Sequence, residues 1–199
     1  MIRLIVWRHG NTDWNAAHRV QGQSDVPLND LGRRQATSGA AVLATLRPTA
    51  IVSSDLRRAA DTAAELAAAT GLTVTYDKRL RERHFGAWEG LTMSEVTARR
   101  PDEHARWKAG ANDVGGGVET LDDLGVRMSE ALLSAAELCG TVVVATHGAA
   151  ARQGVGVLLG WPREQLRALR ALENCHWIEV TRDPARGWQM AGYNVGALP

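Results

Sequence analysis

Two histidines and two arginines carry the chemistry open to this sequence. His9 sits in Arg8-His9-Gly10 and His147 in Thr146-His147-Gly148, each where a compact apolar run stops, and Arg58 follows the short run Ala50 to Ser53. A crevice collecting Arg8, His9, Arg58 and His147 would hold two permanent cations and two titratable rings, which suits a phosphoryl group. Arginine forks form charge-assisted bonds to its oxygens, and a neutral imidazole can attack phosphorus. Neighbouring guanidiniums disfavour a protonated ring, so one nitrogen stays free to act as nucleophile. A helix opening at about Ala149 adds partial positive charge, while Arg58, near the start of another helix, lies against the dipole and calls for an anion.

The elements that must bring these residues together are legible from periodicity. Leu4 to Trp7 reads as a buried strand, residues 11 to 28 as a long polar loop over its end, and Asn29 as the cap of a helix reaching about Leu46. Ala50 to Ser53 is a second strand. Ser54 or Asp55 then caps a helix whose apolar face is Leu56, Ala59, Ala60, Ala63, Leu66 and Ala67, ending near Gly71. Val74 and Tyr76 suggest a third strand, and helical patterns follow at about 92 to 109 and 120 to 138, separated by Gly115-Gly116-Gly117. Thr141 to Ala145 is the clearest buried strand and runs through His147 into a helical segment, Ala149 to Leu159. Ile178 with Val180, and Trp188 with Met190, alternate as a closing hairpin or edge pair. Strands alternating with helices predict an α/β three-layer sandwich with a mainly parallel central sheet flanked by helices, in one domain spanning 1–199. Such sheets bind ligands beyond their strands' C-terminal ends, where Arg8, His9, the segment after Ser53 and His147 all fall.

Composition removes several classes of function. A chain of 199 residues with 45% hydrophobic and 23% charged residues is neither disordered nor collagen-like. With 23 basic against 22 acidic residues, the net charge of +1 gives no reason to expect nucleic acid or a membrane surface as partner. Any anion site must be local. Only Lys78 and Lys108 are lysines, so arginine supplies the remaining 21 cations, and its planar fork matches phosphate and carboxylate. Cys139 and Cys175 lack C-x-x-C spacing and read as two small core residues rather than a disulfide or zinc site. The four apolar residues before Arg8 are too few for a signal segment, which makes the cytoplasm the expected location. His9 and His147 are poor metal ligands beside arginines, with no carboxylate cluster to complete a site, so no metal or cofactor is expected and activity should survive chelation.

Four ordered blocks resemble the histidine phosphatase superfamily, also called phosphoglycerate-mutase-like, over nearly the whole chain. They are Arg8-His9-Gly10-Asn11-Thr12 with Asn15, Ser53-Ser54-Asp55-Leu56-Arg57-Arg58-Ala59 with Thr62-Ala63, Leu80-Arg81-Glu82 with Gly86 and Trp88-Glu89-Gly90, and Ala145-Thr146-His147-Gly148. One tripeptide is weak evidence; four blocks in order are strong. The resemblance implies that His9 accepts the phosphoryl group as a phosphohistidine and that Arg8, Arg58 and His147 hold its nonbridging oxygens. Arg58 is preferred to Arg57 because the residue before the Ala59 position carries that role in the family. Glu82 corresponds to the proton donor, and Asn15, Gln21 and Gly148 match positions that touch phosphate or substrate. His18, His84, His104 and His176 are assigned structural or solvated roles, and Trp14 and Trp88 are candidate pocket walls.

Departures separate the branches of that family. Asn11 stands where Glu or Gln is usual, and Val118-Glu119-Thr120 follows the glycines in place of the common Gly-Gly-Glu-Ser turn. Arg83-His84-Phe85-Gly86 is similar to mutases, whereas Trp88-Glu89-Gly90 and the short chain are similar to phosphatases. The resemblance therefore implies the phosphatase branch: a metal-independent phosphomonoesterase acting on a small phosphorylated metabolite of sugar-phosphate or phosphoglycerate type, glucosyl-3-phosphoglycerate included. Phosphoglycerate mutase is the alternative within the family. A phosphoprotein phosphatase or an inactive phospho-ligand sensor is the alternative of another class. Family members are often dimers, so a homodimer is the partner the resemblance offers beyond substrate.

Overall fold

The first apolar run is strand β1 (Ile2–Arg8), and it lies near the middle of a six-stranded sheet. The computed structural model describes residues 2–197. The other strands are β2 (Ala50–Ser53), β3 (Val74–Tyr76), β4 (Gly140–Thr146), β5 (Trp177–Asp183) and β6 (Gly187–Val195), in the spatial order β3-β2-β4-β1-β5-β6. Pairings among β1 to β4 are parallel, whereas β5 runs antiparallel to both β1 and β6. The sheet is thus mainly parallel, closed on one side by the expected hairpin.

Side-chain alternation along β1 feeds two layers. Leu4 and Val6 pack with Val142 and Val144 against helices α6 (Leu121–Ala136) and α7 (Gly148–Leu158), through Leu124, Met128, Leu132 and Val155. Ile5 and Trp7 pack with Val143 and Ala145 against α2 (Asp30–Thr45) and α3 (Arg57–Thr70), through Ala36, Leu43, Ala63 and Leu66. Fully burying one such leucine stabilises the fold by about 1.5–3 kcal/mol. These strands are buried on both faces, which explains their unbroken apolar sequence.

Local chemistry sets the element ends. Asn29 accepts the Gly32 N–H and starts α2 as expected. Helix α3 departs from expectation: its cap position is Leu56, whose apolar side chain supplies no bond, while Ser54 Oγ accepts the Leu56 N–H at 3.3 Å and Asp55 pairs with Arg81. The pattern over 92 to 109 is two helices, α4 (Met93–Arg99) and α5 (Pro101–Ala109), because Pro101 forces Arg100 out of the helical region. The loop over residues 11 to 28 contains a short helix, α1 (Asp13–Ala16), closed by a capping box between Thr12 and Asn15. A further short helix, α8 (Arg163–Leu166), follows α7. Cys175 is buried, but Cys139 is exposed in the turn after α6, which corrects the expectation of two core cysteines. Among the described residues no helix is long and apolar enough to cross a membrane.

Candidate active site

Strand register explains why the two histidines meet. Arg8 pairs with Thr146 across the β1–β4 ladder, so His9 and His147 leave adjacent parallel strands at the same level. The His9 N–H bonds to the Thr146 carbonyl at 3.0 Å, and the two rings stand 5.1 Å apart between centroids, tilted by 59°. Close backbone approach holds the turn: a Cβ on Gly10 would lie 2.4 Å from the Gly32 carbonyl oxygen, and one on Gly32 would lie 2.0 Å from that of Asn11. The loop after β1 is thereby fixed on the first turn of α2.

His9 is 3% exposed, with Nδ1 2.7 Å from the Gly10 carbonyl oxygen. A carbonyl only accepts, so Nδ1 carries the proton and Nε2 keeps its lone pair. Arg58 donates its Nε–H to that Nε2 across 3.3 Å. Its other two nitrogens donate to the carbonyls of Ser24 at 2.8 Å and Gly22 at 2.7 Å, pinning the loop over the crevice. Arg58 is fully buried beside His9, while Arg57 is exposed. His147 is also fully buried. Its Nε2 lies 2.9 Å from Ser54 Oγ, and its Nδ1 has no partner among the described residues.

Burial, reinforced by Arg58 and Arg8, holds the His9 ring well below the usual imidazole range. His147 is depressed in the same way, first by burial and then by Arg58, His9 and Arg8. Both rings are therefore neutral bases at neutral pH. Burial lowers the Arg58 guanidinium to about 10 against the raising influence of Glu82 and Asp25, which still leaves it charged. Arg8 is lowered chiefly by burial as well; one of its nitrogens donates to the Leu172 carbonyl, and Nε is buried without a partner among the described residues.

Glu82 does not pair with Arg81, which bonds Asp55 instead at 2.6 and 2.7 Å. Its carboxylate accepts the backbone N–H groups of Arg83 at 2.8 Å, Ala149 at 3.1 Å and Ala150 at 2.9 Å. Glu82 thus sits on the first turn of α7. A cavity of about 190 Å³ brings Arg8, His9, Asn15, Gln21, Arg58 and Glu82 to one surface, walled by Phe85 and Trp107. Gln21 Oε1 is buried without a partner among the described residues, whereas Asn15 Oδ1 already accepts from Thr12 and Asn174. Neither His147 nor Gly148 lines this cavity. The His147 ring stands 5.1 Å from that of His9, and Gly148 sits against the Arg8 side chain, where a Cβ would make ordinary contact with Nε. The aromatic wall is Phe85 and Trp107, not Trp14 or Trp88; Trp88 is buried and donates to Glu103.

Four residues support the site: Ser54 and Thr62 belong to the second sequence block, where no such role was assigned to them, whereas Asn174 and Arg127 were not singled out. Ser54 anchors His147. Thr62 accepts the Gly10 N–H at 3.1 Å and donates to the Arg58 carbonyl at 2.7 Å. Asn174 donates to the His9 carbonyl at 3.0 Å. Arg127 binds the carbonyls of Arg79 and Arg81 at 2.7 Å and of Glu82 at 2.9 Å, and forms an ion pair with Glu119. Its position beside Leu124 and Met128, at the margin of a buried helix face, was the available signal.

Comparison with known proteins gives the same picture. The family model described as histidine phosphatase superfamily (branch 1) matches residues 4–196. The chain is 37% identical over 212 residues to glucosyl-3-phosphoglycerate phosphatase of Mycobacterium tuberculosis, covering 98% of this chain and 95% of that protein. It is 39% identical over 198 residues to the probable phosphoglycerate mutase GpmB of Yersinia pestis, covering 94% and 90%. Among solved structures, mycobacterial glucosyl-3-phosphoglycerate phosphatase in complex with VO3 superposes with a TM-score of 0.90 at 36% identity, covering 98% of this chain and all of that one.

Proposed function

The chain belongs to the histidine phosphatase superfamily, and from that membership we propose that it hydrolyses small phosphorylated metabolites through a phosphohistidine on His9. The observation that carries the reading is the fixed tautomer: with Nδ1–H held by Gly10, the Nε2 lone pair faces the crevice between Arg58 and the cavity. With Glu82 entering the cycle as the neutral acid, His9 Nε2 attacks phosphorus, the new N–P bond forms as the ester P–O bond breaks, and the leaving oxygen takes the Glu82 proton. Water then gives its proton to Glu82 and attacks phosphorus. The N–P bond breaks and inorganic phosphate leaves. Arg8 and Arg58, which line the cavity, bind the nonbridging oxygens, and Gln21 Oε1 accepts from a substrate hydroxyl; His147 stands behind that surface, and its unpartnered Nδ1 would take an oxygen only once the phosphoryl group is seated against His9. Asn15 holds the turn through Thr12 and Asn174 and reaches the cavity with the rest of its side chain.

The relatives support a substrate of glucosyl-3-phosphoglycerate type. Metal independence is part of the proposal: two guanidiniums flank the histidine pair, and among the described residues no three His, Cys, Asp or Glu side chains converge as ligands. So is a cytoplasmic setting, which fits the two unpaired cysteines. The mutase-named relative favours a second reading, in which the phosphoryl group returns to a substrate hydroxyl rather than to water. Rapid quench of labelled p-nitrophenyl phosphate tests both. An acid-labile, base-stable adduct on His9 that decays to inorganic phosphate is expected, and His9→Ala should show neither adduct nor turnover. Near-normal turnover by His9→Ala would overturn the mechanism, and interconversion of 2- and 3-phosphoglycerate outpacing phosphate release would establish the mutase.

A further inference from the structure

We propose that Ser54 is a positioning residue for the reaction: its hydroxyl donates to Nε2 of His147 and so places that ring's one hydrogen on Nδ1, ready to bond a nonbridging phosphoryl oxygen. This rests on the phosphatase reading and adds to it the group that makes His147 a donor. The two residues meet because β2 and β4 are parallel neighbours, with Ser53 opposite Ala145, so the segments leaving both strands run side by side. The Ser54 N–H bonds the Ala145 carbonyl at 2.9 Å, and Ser54 Oγ stands 2.9 Å from His147 Nε2, both residues being fully buried.

The direction of that bond follows from the hydrogens available. A serine hydroxyl has one hydrogen and two lone pairs, and a neutral imidazole has one N–H and one ring lone pair. The Leu56 N–H donates to Ser54 Oγ across 3.3 Å, closing a local turn and using one lone pair. Among the described residues the other partner of Oγ is His147 alone. Were Nε2 to carry the hydrogen, Oγ would accept twice and its own hydrogen would be buried without an acceptor. His147 Nδ1, which has no partner among the described residues, would be a second unsatisfied group. With the hydroxyl donating, Ser54 and Nε2 satisfy each other and the Nδ1–H is the one group left over. Each buried polar group without a partner is costly, so the arrangement with one is favoured over that with two. Burial, reinforced by Arg58, His9 and Arg8, holds the ring well below the usual imidazole range, so it carries a single hydrogen.

The neighbouring histidine is set the opposite way. His9 meets the Gly10 carbonyl at Nδ1 and keeps its lone pair on Nε2, whereas His147 meets a hydroxyl at Nε2 and keeps its hydrogen on Nδ1. Two neutral rings 5.1 Å apart thereby divide the work, one as nucleophile and one as donor. A phosphoryl group seated on His9 supplies the acceptor that the Nδ1–H lacks within the protein. In the opposite tautomer Nδ1 would offer its oxygens a lone pair instead.

The test reads the His147 ring by nitrogen NMR of histidine-labelled protein, its signals assigned by their loss in His147→Gln, together with turnover of p-nitrophenyl phosphate. Wild type should show a protonated Nδ1 and an unprotonated Nε2. Ser54→Ala should shift the ring toward the Nε2–H form, leave the His9 signals in place and lower kcat by about tenfold to a hundredfold, less than the loss of a whole oxyanion donor. A wild-type ring protonated at Nε2 overturns the proposal without any variant. A Ser54→Ala protein that keeps the wild-type His147 signals overturns it too, whatever its kcat, and a shifted ring with wild-type kcat overturns the role of that hydrogen in the reaction. Wild type with a protonated Nδ1 but no turnover of p-nitrophenyl phosphate overturns the phosphatase reading rather than the proton assignment.

Discussion

Arg58 Nε points its proton at His9 Nε2 across 3.3 Å, so the guanidinium occupies the direction from which phosphorus must be approached. A phosphoryl group entering the crevice has to take that bond over, leaving the lone pair for phosphorus and turning the arginine onto a nonbridging oxygen. The same side chain holds the Gly22 and Ser24 carbonyls, which limits how far it can move. Arg58→Ala should lower kcat/KM for p-nitrophenyl phosphate by about 10²–10³, the usual scale for removing one oxyanion donor. Arg58→Lys should rescue little, because the three donors of an ammonium radiate from one nitrogen and cannot span the positions that the three guanidinium nitrogens reach. Steady-state kinetics decide it, and a lysine variant near wild type would remove the fork from the mechanism.

Glu82 raises a different question, since its three backbone donors hold it as an acceptor. To protonate a leaving oxygen it must present one oxygen to the cavity that it lines. Alkyl leaving groups need that proton, whereas p-nitrophenolate departs without it. Glu82→Gln and Glu82→Ala should therefore slow alkyl phosphates by about 10²–10⁴ and p-nitrophenyl phosphate by far less. Equal losses on both ester types would reduce Glu82 to a cap on α7.

What the sequence made legible was whatever depends on one strand or one cap. The apolar runs ending at His9 and His147 located β1 and β4, and Asn29 located the start of α2. The meeting of the histidines followed because parallel strands place their C-terminal ends on one edge. Features that depend on pairing between distant segments stayed hidden. Ser54 looked like a helix cap, yet it faces His147, 93 residues away. Glu82 takes its donors from α7, and Trp107 enters the wall only because Pro101 breaks the helical pattern and starts α5. Cys139 is as small and apolar as a core residue but occupies a left-handed turn position, with φ of 57°, at the surface.

The buried histidine pair should also make the fold acid-sensitive, and the sign can be worked out. His9 and His147 are both held well below the usual imidazole value, by burial first and then by Arg58. In the unfolded chain each titrates near about 6.5, so below that pH the unfolded state binds more protons than the folded one. Stability is therefore full above pH 7 and falls as pH drops through 6, by about 1.4 kcal/mol per pH unit for each ring. Asp55 and Asp77, held low by Arg81 and Arg79, act in a separate window below the normal carboxylate range. Urea unfolding at pH 7.5, 6 and 5 should show the decline, and His147→Gln should remove about half of the slope between pH 6 and 5. A free energy of unfolding that stays flat from pH 7 to 5 would mean that the rings are not buried as neutral bases, and the neutral nucleophile would lose its physical basis.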